Sequence, residues 1–171
     1  MVLVIYLGFS IYHRIQYWKY EFNLYEVSDF KANKKSFEKI AEKLLVCFDE
    51  EYEKNNELEY IVVNHTPLDN LELECFIDYE HIDGYVATRG VSQQEKEAYS
   101  VIHKSFSKKA GGLYFIKVLH DRVIFAAERG PCAVVYMKNG NTPDYPISKE
   151  GTFASFYADK ISLKWYQIVW K

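Results

Sequence analysis

Three apolar runs, Leu113 to Leu119, Val123 to Ala127 and Cys132 to Met137, follow one another with almost nothing between them. The joints are His120-Asp121 and Arg129-Gly130-Pro131. Parallel strands need a crossover of roughly a dozen residues, so runs joined this tightly pair only as antiparallel neighbours, and the stretch is expected to be a β-meander. Asn139-Gly140-Asn141-Thr142-Pro143 is a strong turn signal. Phe153 to Tyr157 and Ile161 to Trp170 then supply one or two further strands.

Upstream, Asp29 to Asn55 reads as a long helix. Phe30, Phe37, Ile40, Ala41, Leu44, Leu45, Phe48 and Tyr52 recur at three- and four-residue steps and form one apolar stripe. Ser28 or Asp29 caps its start. Lys31, Lys34 and Lys35 near the beginning and the acids near the end oppose the helix dipole, at a few tenths of a kcal/mol per exposed charge. Packing must hold this helix, and its acidic end needs a reason of its own. Leu58 to Val63 and Leu71 to Ile77 read as strands, the second with Glu72 and Glu74 turned outward. Asp83-Gly84 marks a turn. Ser92 with Glu95 forms a capping box opening a second helix, Gln93 to Ser107, with Ala98, Tyr99, Ile102 and Phe106 inward and Gly111-Gly112 at its end. The order argues an α+β fold: helices packed on one face of a curved antiparallel sheet with a C-terminal meander, preceded by an apolar N-terminal helix.

That N-terminal segment, MVLVIYLGFSIY, carries no charge. A helix over Val2 to Tyr12 would reach about 16 Å, roughly half the hydrocarbon thickness of a bilayer. Its nearest match is the distal half of a membrane helix, because His13 and Arg14 follow at once and Tyr17, Trp18 and Tyr20 suit the headgroup boundary. Residues 1–22 are therefore expected to form a membrane anchor, with Val2, Leu3, Val4, Ile5, Leu7, Phe9, Ile11, Tyr17 and Trp18 in contact with lipid, and residues 23–171 one α+β domain. A cleaved secretory signal fits poorly, since no basic residue precedes the apolar run. The side of the membrane is left open.

The 171 residues, 49% hydrophobic and 17% aromatic, exclude disorder and suffice for one domain with a substantial core. Cys47, Cys75 and Cys132 are an odd number without a close pair, so neither a disulfide framework nor a zinc ribbon is indicated. The net charge of −3 hides a segregation. Between Lys54 and Arg89 there is no Lys or Arg but eight acids: Glu57, Glu59, Asp69, Glu72, Glu74, Asp78, Glu80 and Asp83. From Arg89 to Arg122 seven basic residues face three acids. An acidic surface repels nucleic acid and steers a basic partner.

No reaction motif emerges. The histidines at 13, 65, 81, 103 and 120 lack metal-ligand spacing. Asp78 to Gly84 fails as a calcium loop, because Ile82 and Asp83 occupy the fifth and sixth positions and Arg89 the twelfth. His120-Asp121 belongs to a turn, Cys132 begins an apolar strand where a thiol is inert, and no phosphate loop or dinucleotide fingerprint is present. No cofactor or metal is expected. The expected function is non-catalytic binding of a protein partner through Glu72, Glu74, Asp78, Tyr79, Glu80, Asp83 and Tyr85, a role suited to an immunity-type inhibitor of a basic protein. The competing expectations are a small hydrolase-like enzyme joining His65, His81 or His120 to carboxylates, and a structural subunit of a membrane complex.

Overall fold

The computed structural model describes residues 10–14, 16, 27, 30–63, 70–78, 83–106, 111–128, 132–143 and 156–170. Helices α1 (Phe30–Lys54) and α2 (Gln93–Ser105) accompany strands β1 (Tyr60–Val63), β2 (Asn70–Asp78), β3 (Asp83–Gly90), β4 (Leu113–Val118), β5 (Arg122–Ala127), β6 (Cys132–Met137), β7 (Phe156–Ser162) and β8 (Trp165–Trp170). The strands form one open antiparallel sheet in the order β3-β2-β1-β4-β5-β6-β8-β7, which makes the fold α+β.

The meander and both helices lie where the sequence predicts them. Two elements do not. Asp83 and Gly84, expected to mark a turn, are instead the first residues of strand β3, along which exposed positions alternate with half-buried ones. Its side chains are small or polar apart from Tyr85 and Val86, so it lacks the apolar alternation that announces a strand. The run Ile161 to Trp170 is not one strand but the end of β7, a tight turn at Leu163 and Lys164, and β8. Lys164 takes φ +63 at this turn, a left-handed conformation that no glycine advertises.

The helices cover one face of the sheet. Strand pleating and register send Ile61, Leu73, Val118, Val123, Phe125 and Val134 to that face, where each is fully buried. Phe37, Ile40, Ala41 and Leu44 of α1 meet them, also at 0% exposure. Each such Val, Leu, Ile or Phe side chain contributes about 1.5–3 kcal/mol through removal from water. Trp165 sits at the centre, with ring centroids 5.1 Å from Phe30, 5.9 Å from Phe37 and 4.9 Å from Tyr136. The capping box holds α2 as its sequence predicts: the Glu95 amide donates to Ser92 Oγ at 3.3 Å and the Ser92 amide to Glu95 Oε2 at 2.9 Å. Asn33 Nδ2 donates to Ser105 Oγ at 2.9 Å and ties the two helices.

The opposite face has two characters. Across β5, β6 and β8, Ile124, Ala133, Val135, Met137, Tyr166 and Ile168 form a second apolar cluster, all at 4% exposure or less. Across β1 to β4 no helix among the described residues covers this face, which is more polar, as described below.

The apolar N-terminal helix expected from the sequence is not supported. Residues 10–14 and 16 are helical and exposed, Ile11 at 58% and Tyr12 at 59%. Among the described residues no helix is long and apolar enough to cross a membrane. Val2, Leu3, Val4, Ile5, Leu7, Phe9, Tyr17 and Trp18 lie outside the described residues.

Candidate protein-interaction surface

Strand pleating decides where the acidic block goes. On β2, Leu71, Leu73 and Cys75 turn to the helices, so Glu72 and Glu74 stand two residues apart on the other face. Glu72 is opposite Thr88 and Glu74 opposite Val86 on β3. Val86 is 63% exposed, and Gly84, Thr88 and Gly90 of the same strand are exposed as well. Toward the middle of the sheet Tyr60 and Phe76 stack at 4.6 Å, and the Lys117 ammonium lies 3.8 Å over the Tyr60 ring. Burial pulls the Lys117 pKa down, and Glu59 opposes that shift. The result is a surface of carboxylates beside stacked aromatic rings, with no helix laid over it among the described residues.

The predicted partner-binding residues divide accordingly. Glu72, Glu74 and Asp83 reach this side or its rim, Asp83 pairing in register with Asp78 at the start of the hairpin. Tyr79 and Glu80 and the side chain of Asp78 lie outside the described residues. Tyr85 turns the other way. Its hydroxyl donates to Glu51 Oε2 of α1 at 3.2 Å, and burial pushes its pKa up, helped by the neighbouring Cys75 and Glu51.

Glu51 is the hub of a polar cluster that explains the acidic end of α1. It is buried at 3% exposure and also accepts from Arg89 Nη2 at 2.7 Å and Lys54 Nζ at 2.8 Å. Burial pushes the Glu51 carboxyl up, but the bonds from Lys54, Arg89 and Tyr85 outweigh it and hold the group below the ordinary carboxylate value. Arg89 also pairs with Glu50, and Lys138 with Asp49 at 3.1 Å. The unfavourable dipole position is therefore offset by long-range ion pairs. Sequence reasoning named these charges without joining them, because Glu51 and Arg89 are 38 positions apart. The dipole-opposed acids of α1 were the one available signal.

Other chemistry is sparse among the described residues. A cavity of about 530 Å³ opens between the first turn of α1 and the β7–β8 edge, lined by Phe30, Lys31, Asp159, Lys160, Ile161 and Gln167 among others. Among the described residues its lining carries charge of both signs, from Lys31, Asp159 and Lys160. The three cysteines are free and buried, and burial pushes the Cys132 thiol up to about 12. His120 is exposed, 3.9 Å from Asp121, whose carboxylate is held instead by Arg122 at 2.8 Å. His65 and His81 lie outside the described residues, and no metal-binding cluster occurs among those described. No protein-family model, curated protein or solved structure matches this chain.

Proposed function

We propose that this protein is a non-catalytic binding domain whose open half-sheet receives a basic protein partner, as an inhibitor of such a partner would. The observation that carries the reading is the placement of Glu72 and Glu74 side by side on the face left bare by both helices, next to exposed Val86 and the Tyr60–Phe76 stack. Carboxylates on such a face accelerate encounter with a cationic surface, and the adjoining rings and aliphatic groups supply the desolvated contacts that give affinity. The Glu51 cluster supports the surface from behind by fixing β3 to α1.

Affinity capture with the immobilised protein tests this. Wild type retains proteins of high isoelectric point and releases them as salt rises. The double substitution Glu72→Lys with Glu74→Lys changes only an exposed and a half-buried strand position, and circular dichroism checks its fold. Loss of the captured basic proteins supports the reading. Capture of the same proteins by both forms, with the same salt dependence, would overturn it.

A further inference from the structure

We infer that the partner attaches by strand addition: an extended, lysine- or arginine-bearing segment pairs with the outer edge of β3 and extends the sheet. This rests on the proposed binding of a basic partner and adds its mode. Among the described residues β3 and β7 are the two terminal strands of the sheet. A terminal strand directs every second N–H and C=O outward, and proteins commonly blunt such edges with lysines, prolines or bulges.

The two edges are treated differently. β7 carries exposed Asp159 and Lys160 and a break in register between Lys160 and Ser162. β3 reads Asp-Gly-Tyr-Val-Ala-Thr-Arg-Gly, with no proline and no lysine. Its single cation, Arg89, is committed to Glu50 and Glu51. From Asn70↔Gly90 to Phe76↔Gly84 its register with β2 is unbroken, so the strand presents a straight edge over most of its length.

The side chains on the open face of β3 also suit the proposed occupant. Gly84, Val86, Thr88 and Gly90 form a low rim, and an alanine-sized group at Gly90 would meet nothing within 4 Å. A strand added beyond β3 would lie roughly 10 Å from β2, two strand spacings away. Across that rim a Lys or Arg of the added strand meets Glu72 or Glu74, each reaching part of the way. Alternate residues of the segment therefore carry charge toward these acids, while its backbone hydrogen-bonds the outer edge of β3. A second copy of this chain would bring like charges to the same rim, and the charge pattern favours a basic segment instead.

The test uses a synthetic peptide of alternating lysine and valine or threonine, of the same eight-residue length as β3. Fluorescence anisotropy measures its affinity for the full chain, and amide hydrogen exchange by NMR locates it. The inference expects slowed exchange at alternate β3 amides and binding weakened at least about tenfold by Val86→Lys or Thr88→Lys, both at exposed positions. An analogue with glutamate for lysine is expected not to bind. Peptide binding with β3 amides unchanged, or binding indifferent to Val86→Lys, overturns strand addition while leaving the acidic surface in place. No peptide binding, with basic proteins still captured through Glu72 and Glu74, overturns it equally. Protection of β3 without peptide, in a dimer seen by sedimentation, would assign the edge to a second copy and also overturn it.

Discussion

Phe37 stands among four aromatic rings, Phe30, Phe106, Phe125 and Trp165, with centroids 5.2 to 6.5 Å away and no exposure. Little nearby can collapse into its place. Phe37→Ala is expected to cost about 3–5 kcal/mol, measured by urea unfolding. At Glu51 the loss is electrostatic. Glu51→Gln leaves Arg89, Lys54 and Tyr85 bonded to a neutral amide, and is expected to lower stability at neutral pH by roughly 1.5 kcal/mol, because hydrogen bonds to a charged acceptor are weakened. Arg89 keeps its contact with Glu50 and some access to water, which places the effect near the low end for such bonds. Cys132, fully buried with its thiol pushed up to about 12, is expected to resist alkylation at neutral pH until the chain unfolds, as mass spectrometry after an iodoacetamide pulse would show.

Among the elements, α2 depends on its first turn. Ser92→Ala removes one half of the capping box and is expected to cost about 1 kcal/mol by thermal unfolding. The β7–β8 turn offers the opposite case. Lys164→Gly relieves a side chain from the left-handed region and is expected to stabilise by about 0.5–1 kcal/mol, against the loss of a cation 5.8 Å from the Tyr136 ring. What could be read from the sequence follows the same physics. α1 was legible because burial is periodic along it, from Phe30 to Phe48, and the meander because its strands are continuous apolar runs joined by short turns, with β5 and β6 buried on both faces. β3 was not, since an edge strand with one half-covered face has little apolar pattern to show. The β7–β8 turn was hidden because its conformation falls on Leu163 and Lys164, residues that signal no turn. The acids of the candidate surface were legible as outward residues of a strand. That Tyr85 leaves that surface to bond Glu51 was not, because the face of β3 is fixed by pairing with β2 rather than by local sequence.

For the whole molecule, the pH range of stability follows from groups that titrate differently folded and unfolded. Glu51, Glu95 and Asp121 are held below their ordinary values by their bonds to neighbours, although burial alone would raise them. Their contribution is complete above about pH 4.3, the unfolded carboxylate range, and is lost as pH falls through the folded values. Cys47, Cys75 and Cys132 are raised by burial, so their contribution is complete below about pH 8.5 and declines above it. Urea midpoints measured across pH are expected to form a plateau between those limits, with Glu51→Gln flattening its acid shoulder. The sheet order carries one more consequence. β1 is joined on one side to β2, its neighbour in the chain, and on the other to β4, where Ile61 meets Val118 and Val63 meets Ile116. That seam stitches a front half made of α1 and three strands to a rear half built from hairpins. During synthesis the front half emerges first with one side of β1 bare, and waits until β4 leaves the ribosome before its ladder closes.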